Sequence, residues 1–236
     1  MTPQARAAVE AADALYGYAP YLARLPARAG QSRHASDNRE ELQRAGAALD
    51  AAAAGAKVAM VSGGDPGVFA MAAAVCEAIE TGPPGWRALD VTVVPGVTAM
   101  LAVAARAGAP LGHDFCALSL SDNLKPWDLV ERRLRLAAEA GFVIALYNPV
   151  SRARPWQLGR AFDLLREVLP GSVPVVFGRA AGRADETIAV VPLAEARADR
   201  ADMATCIIVG SAESRVVARD GRPALVYAPR SAASAR

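Results

Sequence analysis

Short, continuous apolar runs, each closed by glycine and followed by a helix-like pattern, constrain this chain more than any other feature. Residues 57–62 read KVAMVS with no polar alternation, as a strand buried on both faces requires. Gly-Gly-Asp-Pro-Gly stops that run, and an alanine-rich helical segment follows to about Glu80. LDVTVVPG (89–96) is the next expected strand. VTAMLAVAARAG (97–108) is the next helix, with small residues on most faces and Gly108 at its end. Strand, helix, strand, helix in this order implies a parallel sheet. Upstream, TPQARAAVEAADALYGY reads as one helix with Thr2 as N-cap and Pro3 at N1. GQSRHASDNREELQRAGAALDAAAAG holds a loop and a second helix; Asp37 and Glu40 have capping-box spacing and Gly55 is its end.

GAPLGHDFCALSLSDNLKPWD breaks the rhythm, and a domain boundary is expected near Pro110. FCALSL (115–120), WDLVERRLRLAAEAG (127–141), FVIALYN (142–148) and PWQLGRAFDLLREVL (155–169) restart the alternation. VPVVFGR, ETIAVVPL, TCIIVGS and RPALVYAP then give a strand-rich finish. The reading is two α/β domains: an N-terminal one over 1–110, a C-terminal one over 111–228, and a disordered tail over 229–236.

Several function classes are disfavoured. The net charge is only +2 and its 26 basic residues form no dense block, so nucleic acid is not the leading partner. No apolar run reaches the length of a membrane span, and the first residues lack the order of a signal peptide. Cys76, Cys116 and Cys206 are far apart in apolar runs; buried thiols in a reducing, cytoplasmic compartment are expected. No C-x-x-C occurs and His34 and His113 are the only histidines, so no metal site is expected.

The candidate chemistry lies in the loops. In residues 62–67, Asp65 before Pro66 reads as N-cap and N1 of a helix. One glycine is accounted for by a tight turn. The second leaves two readings open: an ordinary turn, or backbone bared to a ligand at the carboxyl end of a parallel strand. VVPGVTAM (93–100) has the same layout, with Thr98 as a possible cap, and two such loops at consecutive strand ends would lie side by side. ALYNPVSRARPWQLG (145–159) turns at Asn148 and carries Arg152 and Arg154. Those arginines are either a solvated basic loop or guanidinium groups placed for carboxylates. FGRAAGRADET (177–187) repeats that theme with Gly178, Arg179, Gly182 and Arg183. GQSRHASDNREE (30–41) gathers Arg33, His34, Asp37, Asn38 and Arg39, and SLSDNLKPWD (119–128) supplies Asp122, Asn123 and Lys125. No G-x-G-x-x-G, P-loop or nucleophile-and-base signature is present. Chemistry here would rest on holding reactants together rather than on a covalent intermediate.

VSGGDPGVFAMA, VVPGVTA, RHASDNREE, SLSDNLKPWD, ALYNPVSRARPWQLG and DMATCIIVGS occur in one order and spacing. Together, from Thr2 to about Val217, they resemble the tetrapyrrole methylase family, in particular its branch acting on precorrin-3B at C17 in cobalamin biosynthesis. The resemblance implies two α/β domains with S-adenosylmethionine in the cleft between them, and a homodimer. It implies methylation of C17 coupled to ring contraction, giving precorrin-4. The same motifs are shared with the cobalt-factor III enzymes of the anaerobic route, and a non-catalytic tetrapyrrole- or cofactor-binding homologue is the other alternative. By similarity, Gly63, Gly64, Asp65, Val68, Thr98 and Ala99 line the cofactor site, with Asn148 and the neighbourhood of Gly178 added from the second domain. Arg33, Arg39, Lys125, Arg152 and Arg154 are candidates for the acetate and propionate groups of the substrate. Asp65, His34 and Asp122 are candidates for proton transfer. The family opens with a strand and a GxGPGDP loop just before the residues matching TPQAR. This chain starts at Met1-Thr2-Pro3, so a first sheet without that central strand, and a cofactor site without that loop, are expected.

Overall fold

The computed structural model describes residues 1–37, 40–151 and 153–231, divided into two compact units, Met1–Thr98 and Ala99–Arg236. The first unit contains α1 (Pro3–Ala11), β1 (Ala14–Tyr18), α2 (Ala19–Leu22), β2 (Ser32–Ser36), α3 (Glu41–Ala53), β3 (Val58–Val61) and α4 (Met71–Thr81). β1 lies between β2 and β3 and is parallel to both. Thr2 caps α1, its Oγ1 accepting from the Ala5 N–H at 3.2 Å. The helix ends at Ala11 rather than running to Tyr18, and Ala14–Tyr18 is the central strand. Leu15 packs with Ala12 and Leu22 on one face, while Ala14 and Tyr16 pack with Ala48 on the other. Only a strand flanked on both sides buries successive residues in opposite directions like this.

β2 corresponds to residues read as loop; it is an edge strand with no buried residue and so carries no apolar signal. Before α3, Glu40 Oε2 accepts from the Asp37 N–H at 3.1 Å, the return half of a capping box, but the helix starts only at Glu41. Gly55, in the left-handed region at φ 94°, follows its end. The run expected as a strand over 89–96 makes no ladder bonds with any strand among the described residues. It leaves Val91 and Val93 about half exposed, at 45% and 53%. With no neighbour to pair its amides, an apolar run stays extended without becoming a strand.

The second unit contains α5 (Ala99–Ala107), β4 (Gly108–Ala109), β5 (Phe115–Ser119), α6 (Trp127–Glu139), β6 (Val143–Tyr147), α7 (Gln157–Val168), β7 (Pro174–Arg179), β8 (Thr187–Pro192), β9 (Thr205–Val209), β10 (Arg215–Arg219) and β11 (Arg222–Tyr227). Its main sheet has the order β5-β6-β9-β7-β8. β5 and β6 are parallel and the other neighbours antiparallel. On one face, Val130 and Leu134 of α6 and Leu158, Phe162 and Leu165 of α7 pack with Ile144, Leu146, Val175 and Ile207. On the other, Val103, Ala104 and Ala107 of α5 pack with Val143, Val176, Cys206 and Ile208. That packing puts α5 in the second unit, so the units meet at Thr98 and Ala99, upstream of the sequence break at Pro110. Residues 108–109 pair with β11 in a small second sheet, β10-β11-β4. Of the three cysteines, all expected to be buried, only Cys206 is; Cys116 is partly buried and Cys76 exposed. Of the tail, residues 232–236 lie outside the described residues.

Candidate functional site

In the first unit the loop after β3 meets the segment leading to Thr98. Asp65 is the clamp: Oδ1 accepts from the Gly67 N–H at 2.8 Å and Oδ2 from the Gly96 N–H at 2.9 Å. The two loops therefore lie side by side. Helix α4 begins at Met71, not Pro66, so Asp65 closes a loop rather than capping a helix. Each glycine has its own physical reason. Gly64 sits at φ 75°, where a Cβ is strained. Gly63 lies under the Tyr21 ring, since a Cβ there would fall 2.7 Å from Tyr21 Cζ. A Cβ on Gly96 would fall 2.0 Å from the Gly64 carbonyl oxygen. Gly64 and Gly67 remain exposed, Val68 is partly buried, and Phe69, at φ 50°, is half exposed. Thr98 is buried and Ala99 opens α5.

The other first-unit candidates are held by the fold. Arg33 donates from Nη1 to the carbonyls of Leu22 (3.1 Å) and Leu25 (3.2 Å), and from Nη2 to that of Pro26. It satisfies backbone acceptors after α2. His34 lies in the middle of β2, stacked on Tyr16 with ring centroids 4.3 Å apart, and within 3.1 Å of Ser32 Oγ. Arg39 lies outside the described residues, as does Arg152 of the second unit.

A residue that sequence reasoning missed joins the loops at this end of the sheet. Arg44 of α3 is only 5% exposed. It donates to Ser36 Oγ (2.5 Å), the Asp37 carbonyl (2.5 Å) and Met71 Sδ (3.3 Å). It thus ties the end of β2 to the start of α4, and no carboxylate among the described residues forms an ion pair with it. The available signal was helical spacing: Arg44 shares a face with Ala48, four residues on.

In the second unit, polar residues collect at the carboxyl ends of the parallel strands β5 and β6. Asn148 adopts φ 51°, a conformation asparagine tolerates, and its Nδ2 donates to Ser119 Oγ at 2.9 Å. Asp122 Oδ1 accepts from Arg154 Nη1 at 2.5 Å and from Gln157 Nε2 at 3.3 Å. The Arg154 bond, first among several causes, holds the Asp122 carboxyl below its usual range. Asp122 is accordingly an ionised anchor and a weak base, and Arg154 is already paired. Lys125 Nζ donates to the Ser121 carbonyl at 3.0 Å. Burial, then the Arg133 charge, push its pKa down against the opposing pull of Asp122. Two buried oxygens here, Gln157 Oε1 and Ser151 Oγ, have no hydrogen-bond partner among the described residues, and the sequence singles out neither residue.

Gly178 is glycine for packing: a Cβ would lie 2.2 Å from Val103 Cγ2 of α5. Arg179 is consumed by Asp185 and Asp202, each at 2.8 Å. A groove of about 740 Å³ lies along α7 and residues 194–200, but it contains none of the candidates. Its Arg166 is committed to Leu193, Ala196 and Asp163, so we read the groove as structural. Among the described residues no cluster of side chains could hold a metal ion, and no helix is long and apolar enough to cross a membrane.

The family model for Tetrapyrrole (Corrin/Porphyrin) Methylases matches residues 1–197. A precorrin-3B C(17)-methyltransferase of Sinorhizobium sp. is 73% identical over 98% of this chain and 91% of its own length. A probable cobalt-factor III C(17)-methyltransferase of Salmonella typhimurium is 40% identical over 98% of this chain and 92% of its own. The crystal structure of the methyltransferase CobJ superposes with a TM-score of 0.91 at 48% identity, covering 97% of this chain and 93% of that one.

Proposed function

The chain belongs to the tetrapyrrole methylases, and on that footing we propose that it transfers the methyl group of S-adenosylmethionine to C17 of precorrin-3B. Contraction of the macrocycle accompanies the transfer and gives precorrin-4, a step of cobalamin biosynthesis. The observation that carries the reading is 73% identity to a precorrin-3B C(17)-methyltransferase across 98% of the chain.

The residues fit such a cofactor. A nucleoside bearing a zwitterionic amino acid needs backbone donors and acceptors beside apolar surface. Exposed Gly64 and Gly67 supply the first; half-exposed Phe69 and Val97 supply the second. Gly63, Gly64, Asp65, Val68 and Thr98 of the first unit are the proposed cofactor residues there. Asp65 acts by holding both loops in register, and Gly63 and Thr98 act as buttresses. Ala99 and Asn148 are the second unit's candidates, while Gly178 serves by admitting α5. The cofactor brings an activated methyl group. The chain's own work is to bind, to orient a carbon nucleophile against that methyl group, and to exclude water. Substrate carboxylates fall to the basic groups at the ends of β5 and β6. Among the described residues Lys125 hydrogen-bonds only a backbone carbonyl there, whereas Arg154 would first have to leave Asp122.

Calorimetric titration with S-adenosylhomocysteine, followed by turnover of precorrin-3B read by mass, tests the proposal. Binding plus a methylated, contracted product supports it; no binding overturns it. The anaerobic alternative is disfavoured by 40% identity against 73%, and turnover of metal-free against cobalt-containing substrate decides between them. The proposal includes a cytoplasmic homodimer, and sedimentation equilibrium reads the oligomeric state directly.

A further inference from the structure

The two loops at the carboxyl ends of β5 and β6 carry large apolar side chains that the core does not use. Leu124, in the loop after β5, is 99% exposed, more than any other large apolar residue described. Trp156, at the entry to α7, is 47% exposed and is the one exposed tryptophan of the three. Neither belongs to the apolar clusters on the two faces of the main sheet. A single exposed apolar residue needs no explanation. These two, however, stand on loops that the structure ties together. Arg154 Nη1 donates across them to Ser121 Oγ at 3.3 Å and to Asp122 Oδ1 at 2.5 Å. Trp156 also packs edge-on against Trp127, which follows the first loop, with ring centroids 4.8 Å apart.

Both positions are held by neighbouring bonds. Trp127 Nε1 donates to Glu131 Oε1 at 2.9 Å, and the same oxygen accepts from Arg160 of α7 at 2.6 Å. Trp156 thus rests against an anchored ring and leaves half of its own surface to solvent. In the first loop, the Ser121 carbonyl accepts from Lys125 Nζ at 3.0 Å and the Ser121 hydroxyl oxygen from the Asn123 N–H at 3.5 Å. Leu124 lies between the two residues so held, and its side chain stands out into water. Basic groups border this apolar pair. Lys125 adjoins Leu124, and of its three N–H donors one meets the Ser121 carbonyl; no side chain among the described residues accepts the others. Arg154 lies two residues before Trp156. Apolar surface beside cations at the carboxyl ends of parallel strands complements a flat ring that has apolar faces and carboxylates at its rim.

We propose that Leu124 and Trp156 form an apolar seat on which one face of the tetrapyrrole rests, with Lys125 beside them for a rim carboxylate. The inference rests on the methyltransferase reading. The seat selects and positions the substrate and takes no part in methyl transfer itself.

The probe is uroporphyrin III, a metal-free ring with carboxylates at its rim, titrated into the full chain and followed by its own absorbance band. Leu124→Asn and Trp156→Ala are each expected to weaken binding by about 10–100-fold. Trp156→Phe, which keeps an aromatic plate, should stay near the wild-type value. Lys125→Gln should weaken binding at low salt and have little effect at high salt. Leu124 is so exposed that its replacement should leave the urea midpoint unchanged, which separates a lost contact from a lost fold. The same two variants should raise KM for precorrin-3B and leave kcat and S-adenosylhomocysteine affinity at their wild-type values. Wild-type porphyrin affinity and wild-type KM in both variants would overturn the seat, however fast methyl transfer proceeds. So would variants that turn a dimer into a monomer in sedimentation, since a second copy would then be the occupant. Wild-type protein that transfers no methyl group to precorrin-3B would instead bring down the methyltransferase reading, and this assignment with it.

Discussion

Replacing Asp65 with alanine removes the group that holds the two first-unit loops together. Its carboxylate makes charge-assisted bonds of 2.8 and 2.9 Å to the amides of Gly67 and Gly96. Bonds to a charged acceptor contribute about 1.5–3 kcal/mol each. Because Asp65 is only partly buried, water replaces part of what is lost, and the net cost is about 2–3 kcal/mol. That cost falls on loop geometry more than on the core, since Asp65 belongs to none of the apolar clusters. A loop that must be reordered on binding charges the same free energy against the ligand, so S-adenosylhomocysteine affinity should fall by about 30–150-fold. Asp65→Asn gives the intermediate case: one amide oxygen can accept, but its NH₂ faces a second donor. Calorimetric titration of wild type, Asp65→Asn and Asp65→Ala checks the ordering, with a urea midpoint for each. Wild-type affinity in Asp65→Ala would refute the clamp. So would a loss of affinity fully explained by global unfolding.

Three further outcomes follow from the packing and charge of the two units. Gly178→Ala would press a methyl group into Val103 of α5 and should cost about 1–3 kcal/mol in chemical denaturation, with Val103→Ala added to the variant restoring most of it. The lowered pKa of Asp122 means its pairing stabilises the fold fully above the unfolded value of about 3.9 and loses that contribution as pH falls through the folded value. The gap in urea midpoint between wild type and Asp122→Asn should therefore close between neutral pH and the acid range. Arg44→Met removes a buried charge that has no carboxylate partner among the described residues. It should leave global stability near or above wild type, while amide hydrogen exchange at the end of β2, where Ser36 loses its Arg44 bond, becomes faster.

What was legible in the sequence was whatever a single face or a single backbone rule determines. β3, β5, β6, β7 and β9 were visible because their runs are continuously apolar, and Thr2 and Gly55 because capping and positive φ restrict residue choice. β1 was hidden because ALYGY is five residues long and directly follows a true helix. β2 and β10 were hidden because they bury nothing. Residues 89–96 erred the other way: they have strand composition, but pairing is a property of neighbours. The adjacency of the two loops was foreseen from strand order, yet the atom that enforces it is Asp65, read in sequence as a helix cap.

The site divides along the same line. Glycine positions point to close approaches, and in sequence a close approach to a ligand looks like one to Tyr21 or Val103. Side-chain roles depend on partners, which the sequence lacks. Arg33, Arg154 and Arg179 look alike as guanidinium groups in polar loops, and the fold spends them on carbonyls or on Asp122, Asp185 and Asp202. Two groups that have no ion pair among the described residues also break a local rule. Arg44 is a charge on the buried face of a helix, and Lys125 is a partly desolvated lysine in a chain whose only other lysine is Lys57. A buried or half-buried charge without a counter-ion costs stability. Natural sequences accept such conflicts mainly where a site needs them. Arg44 joins the end of β2 to the start of α4, and Lys125 stands in the loop after β5 near an aspartate whose pKa is held down by Arg154. A buried or half-buried charge without a counter-ion among the described residues is therefore a better guide to the chemistry than an exposed arginine in a polar loop.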